Sequence, residues 1–159
     1  MDEEDLHYLA GIVDADGSIY VGVQKRSSAK FGFYIQPNLT VVGLPCPDAG
    51  RHELLRRLAV EKESTFGQEI HPSDETQKTS LTGYTAVKVV KELLPYLREK
   101  RRVAERLLEE EWGANQYGQN GRPEEVYRSL VEARIDIRKM SSDGGRNKYD
   151  REDLLRAVS

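Results

Sequence analysis

The strongest constraint on this chain is a change of period at one point. Leu6, Leu9, Ala10 and Val13 recur at helical spacing, and Asp2 or Asp5 stands where a helix start favours an acid. Asp16-Gly17-Ser18 then stops the helix. From Ser18 onward Ile19, Val21 and Val23 alternate with Tyr20, Gly22 and Gln24, the period of a half-buried strand. Asp16 therefore lies where helix gives way to strand, a position from which a carboxylate can project beneath the sheet.

The rest of the chain fits around that joint. Ser27-Ser28-Ala29-Lys30 reads as a turn, and a second alternating run follows. Phe33, Ile35, Pro37, Leu39 and Val41 share one face; Tyr34, Gln36, Asn38 and Thr40 share the other. Pro37 has no N–H for a ladder, which predicts an edge or a bulge there. Asp48 is placed to cap a helix carrying Leu54, Leu55, Leu58 and Ala59, with Arg51, Arg56 and Arg57 around it. Two weaker strands are expected at about 64–71 and 76–82. A helical pattern from Ala86 through Leu97 should break at Pro95 and resume through Val103, Leu107 and Leu108. Pro123 suits the first turn of a helix reaching about Met140, and a short last helix holds Leu154 and Leu155. The order α-β-β-α-β-β-α with added helices predicts one α+β domain over 1–159. Its core would span about 5–112 and its C-terminal helical extension about 122–159, with helices on one face of an antiparallel sheet.

Composition removes several classes of function. With 38% hydrophobic residues in 159, the chain can bury a sizeable core. A single cysteine, Cys46, excludes an internal disulfide and suits a reducing compartment. His7, His52 and His71 are too scattered for a Cys/His zinc cluster. No apolar stretch can span a bilayer, and the acidic Met-Asp-Glu-Glu-Asp start is unlike a signal peptide, so an intracellular location with no membrane partner is expected. A net charge of −3 argues mildly against nucleic-acid binding. The distribution argues the other way. Between Asp16 and Asp48 there is no Asp or Glu, while Lys25, Arg26 and Lys30 lie there.

The outer face of the first two strands is accordingly free of carboxylates. Tyr20, Gln24, Arg26, Tyr34, Gln36, Asn38 and Thr40 are side chains that can read base edges from a β-ribbon. The same pattern also describes the solvated face of any antiparallel sheet. A calcium loop starting at Asp14 fails, because Ile19 then occupies the required glycine and Lys25 the required glutamate.

The segment Leu9-Ala10-Gly11-Ile12-Val13-Asp14-Ala15-Asp16-Gly17-Ser18-Ile19 resembles the signature of the LAGLIDADG homing endonucleases almost letter for letter. With no second such helix, the resemblance is to the single-motif, homodimeric branch. It implies an αββαββα fold with an antiparallel DNA-binding sheet, and a metal-dependent double-strand break in a near-palindromic DNA target with short 3′ overhangs. Asp16 would hold Mg²⁺ with the Ala15 carbonyl; Mn²⁺ or Ca²⁺ could substitute in binding. Lys100, in Pro95-Tyr96-Leu97-Arg98-Glu99-Lys100, matches a catalytic lysine, and Arg51 a basic active-site position. Leu9, Ala10, Gly11, Val13 and Asp14 would form the dimer interface, where small residues allow two helices to approach. DNA contacts would come from Tyr20, Gln24, Arg26, Tyr34, Gln36, Asn38 and Thr40, from Ser28 and Lys30 at the turn, from Gln68, Gln77 and Lys78, and from Arg146 and Lys148 on phosphates. The sequence departs from the pattern at Gly43-Leu44-Pro45-Cys46-Pro47, where the branch places a polar, water-positioning residue, often glutamine. That departure keeps a catalytically idle scaffold open, such as an intron RNA maturase or a transcription regulator. An ordinary metabolic or structural α+β dimer is the remaining alternative.

Overall fold

The computed structural model describes residues 1–43, 50–62, 68–72, 77–112, 122–141 and 148–158, with residues 68–72 described by backbone alone. Helix α1 (Glu3–Asp16) is capped by the Asp2 carboxylate, which accepts from the Asp5 N–H at 2.9 Å. Strand β1 (Gly17–Lys25) starts at the next residue. Then come β2 (Phe33–Gly43), α2 (Arg51–Glu61), β3 (Gln68–Pro72) and β4 (Gln77–Thr82). Helix α3 (Tyr84–Leu93) ends in a 3₁₀ turn, Leu94–Tyr96, at the expected Pro95 break. Helices α4 (Arg101–Leu108), α5 (Glu124–Met140) and α6 (Arg151–Leu155) complete the chain.

The four strands form one antiparallel sheet in the order β1-β2-β4-β3. Ile19, Val21, Ile35, Leu39, Val41 and Leu81 face the helices and are buried with Leu55, Leu58, Val89, Leu93 and Leu107 in one core that reaches Leu154 of α6. The architecture is α+β, as the alternation of periods predicts. No helix among the described residues is long and apolar enough to cross a membrane.

Pro37 is not on an edge strand, since β2 lies between β1 and β4. Its partner in β1 is Val21, but the β4 ladder begins only at Asn38↔Thr82. The Pro37 carbonyl accepts from Gly83 N at 2.9 Å, and the Ile35 carbonyl from Arg122 Nη1 at 2.8 Å. Both carbonyls face the side on which β4 has ended. A residue in an antiparallel ladder points its N–H and C=O to the same side, so the donor that proline lacks has no strand to meet.

A second correction concerns α1. Leu9, Ala10 and Val13 are 0% exposed inside the chain's own core and are not available to a partner. The helix has one apolar stripe, and the sheet of the same chain takes it. Tyr8, Gly11 and Ala15 lie on the opposite, exposed face, and a Cβ built on Gly11 meets nothing within 4 Å.

Gly17, by contrast, has no room. A Cβ there would lie 2.8 Å from Val13 Cα, 3.0 Å from the Val13 oxygen and 3.1 Å from the Thr40 oxygen, all backbone atoms that no rotamer change can move. Gly17→Ala is therefore expected to destabilise the protein by about 1–3 kcal/mol, seen as a lower urea midpoint with an unchanged slope. An unchanged midpoint would show that the joint has slack.

Candidate active site and nucleic-acid interface

The end of α1 collects charges that its own dipole disfavours. The last turn of α1 holds Asp14 and Asp16 and no basic residue, although a helix C-terminus favours cations. The first residue of α2 is Arg51, although a helix N-terminus favours anions. Each breaks a local preference, and together they meet: Arg51 Nη1 donates to Asp16 Oδ2 at 2.8 Å and to the Val42 carbonyl at 3.0 Å. The guanidinium crosses Gly43, where a Cβ would come within 2.9 Å of it. Asp16 keeps 54% of its side chain exposed beside that partner.

Asp14 does different work from the interface role expected of it. Its carboxylate accepts from two backbone N–H groups, Arg98 at 2.8 Å and Lys100 at 2.9 Å, and so clamps the turn before α4. The Asp14 carbonyl accepts from Lys100 Nζ at 2.6 Å. Lys100 is thereby tied at both ends to the last turn of α1, one residue from Ala15 and two from Asp16.

These groups line a cleft of about 630 Å³. Asp14, Ala15, Asp16 and Lys100 form one side; Ser18 and Tyr20 of β1 and Arg134 and Arg138 of α5 form the rest, with Glu99 at the mouth. The cleft follows β1, the outer strand of the sheet, against which α4 and α5 pack. Burial pushes the Tyr20 phenol above its ordinary pKa, so it is a neutral hydrogen-bonding group there.

On the open face of the sheet, Tyr20, Gln24, Arg26, Ser28, Lys30 and Lys78 are exposed, and Tyr34 and Gln36 half-buried. Arg26 stacks 5.0 Å from the Tyr34 ring centre and donates to Gln24 Oε1 at 2.8 Å, so three of the expected base readers hold one another in place. Asn38 and Thr40 are only 6% and 5% exposed and do not stand out from the sheet. Asn38 lies flat across Gly22, whose Cβ position is 2.3 Å from the amide nitrogen. Gln77 has the strand parity of the buried Thr79 and Leu81, not of Lys78, and so belongs to the helix side. Lys148 is exposed, 5.5 Å from the Tyr149 ring centre. Gln68 sits opposite Leu81 in register, with its side chain outside the described residues; Arg146, Cys46, Asp48 and the departing segment 44–47 lie outside them too.

By sequence, neither a family model nor a curated protein matches the chain. Solved structures do match. The homing endonuclease I-CvuI, in complex with the I-CreI target in the presence of magnesium with the DNA not cleaved, superposes with a TM-score of 0.74 at 20% identity, over 99% of this chain and 96% of that one. The archaeal intron-encoded homing endonuclease I-Vdi141I, complexed with DNA, gives 0.65 at 19% identity over 98% and 96%. The LAGLIDADG homing endonuclease I-SmaMI, bound to cleaved DNA, gives 0.55 at 18% identity, over 96% of this chain but 47% of that one. The fold is that of the LAGLIDADG homing endonucleases.

Within the LAGLIDADG fold, Asp16, Ala15 and Lys100 share one cleft, and Arg51 reaches it through Asp16. Sequence reasoning missed Arg134 and Arg138. The signal was present: Tyr127, Leu130, Val131, Arg134 and Ile137 form the buried stripe of α5, and an arginine at such a position stands out. The clamp can be tested alone. Asp14→Ala strands two backbone donors and is expected to cost about 1–3 kcal/mol in urea unfolding. A loss as small as that of an ordinary exposed carboxylate would show that the turn before α4 holds without it.

Proposed function

We propose that the chain is a site-specific DNA endonuclease that works as a homodimer with Mg²⁺, cutting both strands of a near-palindromic duplex and leaving short 3′ overhangs. The observation that carries this reading is the convergence of Asp16, Lys100 and Arg51 at the end of α1, beside a sheet face that presents Tyr20, Gln24 and Arg26. The DNA bound by I-CvuI, I-Vdi141I and I-SmaMI supports the same reading.

The donor set suits magnesium rather than a metal that needs a protein cage. Among the described residues no three His, Cys, Asp or Glu side chains gather. Mg²⁺ binds through one or two carboxylates with waters and substrate phosphate, so Asp16 with the Ala15 carbonyl is a sufficient protein share. The last carbonyls of a helix have no intrahelical partner and carry the negative end of its dipole, which also favours a cation there. A divalent cation at this position supplies neutralising charge and acidifies water for attack on phosphorus.

The protein's own residues supply the rest. Lys100 and Arg51 bring positive charge to a phosphate as negative charge grows on it, and the P–O3′ bond breaks opposite the entering water oxygen. The exposed Tyr8, Gly11 and Ala15 face leaves room for a second α1 to approach, which would bring the two Asp16 carboxylates together on a two-fold axis and match a palindromic target. Tyr20, Gln24, Arg26, Tyr34 and Gln36 would read bases; Ser28, Lys30, Lys78 and Lys148 would reach outer bases or phosphates. The lack of a polar residue in Leu44-Pro45-Cys46-Pro47 favours a second reading, a DNA- or RNA-binding protein that does not cut.

Cleavage of a randomised, partly palindromic duplex library with Mg²⁺ separates the two. The wild type should cut a narrow set of sites, and Asp16→Asn should bind them while losing at least about 10²-fold in cutting rate. Enrichment of the same sites by both proteins with no cutting would establish the binding-only reading. Arg26→Ala should relax specificity at one symmetric pair of positions, by about 1–3 kcal/mol for each base no longer read. Gly11→Leu should leave a folded chain that scatters light as a single copy and no longer cuts both strands; a persistent dimer would place the interface elsewhere.

A further inference from the structure

Arg134 sits where helix spacing reserves an apolar residue. It is 7% exposed on the buried stripe of α5, and its Nε has no hydrogen-bond partner among the described residues. Burial lowers its pKa, and the charge of Arg138, one turn on, lowers it further; no carboxylate among the described residues offsets either effect. Charged side chains are almost never buried unless paired, and leaving one unpaired is strongly destabilising. Among the described residues the Nε finds no partner while the side chain lines an open cleft, so a partner entering that cleft has an unclaimed donor to meet.

The surroundings indicate which partner. Arg134 and Arg138 line the same cleft as Asp16 and Lys100. Among the described residues, the acids of α1 there are engaged elsewhere: the Asp14 carboxylate with the N–H groups of Arg98 and Lys100, and Asp16 Oδ2 with Arg51. Glu99 is exposed at the rim. The cleft thus has the carboxylates and last carbonyls of α1 at one end and the arginines of α5 along one wall, with β1 between them. A cation suits the first and an anion the second. Guanidinium presents a planar fork that fits the paired oxygens of a phosphate, and Arg is the usual choice for that task.

We propose that Arg134, with Arg138 beside it, is an anion-binding subsite that takes a backbone phosphodiester of the nucleic acid entering the cleft. This rests on the nuclease reading above, and the test is arranged so that the two can fail separately. Wild type, Arg134→Met and Arg134→Lys are compared in chelator for binding to a mixed-sequence duplex across a salt series. In parallel, the melting temperature of each protein is followed with and without inorganic pyrophosphate.

The methionine variant keeps much of the length of the side chain and removes the charge. It should melt no lower than the wild type without ligand, bind the duplex more weakly, and lower the slope of log K against log salt by about 0.9 for each phosphate no longer neutralised. An unchanged slope and affinity would overturn the subsite while leaving the nuclease reading in place. A lower melting temperature with an unchanged slope would overturn it too, in favour of a packing role. Should the methionine variant fail to fold, the lysine variant decides: an unchanged slope with several-fold weaker binding supports the fork, and unchanged affinity overturns it. If the wild type does not bind duplex, the nuclease reading fails and pyrophosphate decides for Arg134. A rise in wild-type melting temperature that Arg134→Met abolishes keeps an anion site; no rise removes it.

Discussion

The close approach of Gly17 to the backbone of Val13 and Thr40 fixes where Asp16 stands between helix and sheet. At that point α1 passes into β1 with no connecting residue, and the strand pairs Gly17 with Val41 in the adjacent register position. A side chain at Gly17 would force helix and sheet apart. With glycine there, Asp16 is held by the end of a packed helix and the start of a paired strand. Catalytic groups need placement to within about half an ångström, and elements supply it better than loops.

The remaining groups are referred back to the same helix end. Asp14 clamps the turn before α4 and its carbonyl holds Lys100; Arg51 crosses Gly43 to reach Asp16. The cost is local and visible. Two acids sit at the negative end of α1 and an arginine sits at the positive end of α2, each against the dipole of its helix. Natural sequences break such rules mainly where function needs the residues. The core beneath, from Leu9 through Leu39 and Leu93, is regular and carries the cost.

That division explains what the sequence discloses. The joint at Asp16-Gly17, the two-residue period of β1 and β2 and the break at Pro95 all follow from local backbone rules, and each stands where the pattern puts it. The grouping of Asp16 with Lys100 is legible only through a family resemblance, because nothing local links residues so far apart in the chain. The departures share one cause. The resemblance assigns Leu9, Ala10 and Val13 to an interface between helices, but their apolar stripe meets the nearest sheet, which is the chain's own. Asn38 and Thr40 have the right parity to face outward, yet parity does not show that Gly22 lets Asn38 lie down. Pro37 suggests an edge only when its missing donor counts against both sides of β2, while only one side has a strand to notice.

Charge sorting makes a chain of net charge −3 compatible with a phosphate-rich partner. The acids of the helical layer are largely committed within it. Arg106 meets Glu109, Glu110 and Asp136, with the pairs to Glu110 and Asp136 holding its pKa up against burial. Arg56 engages Glu53 and lowers its pKa, and Lys62 engages Glu92. The β1–β2 ribbon carries no carboxylate at all, and its cations, Lys25, Arg26 and Lys30, are exposed. Exposed charges more than about a Debye length apart are screened from one another, roughly 10 Å at ordinary salt, so a partner on the ribbon is governed by that face and hardly by the total. Net charge therefore bears on solubility and long-range approach, and does not oppose the contacts proposed for the sheet face and the wall of the cleft.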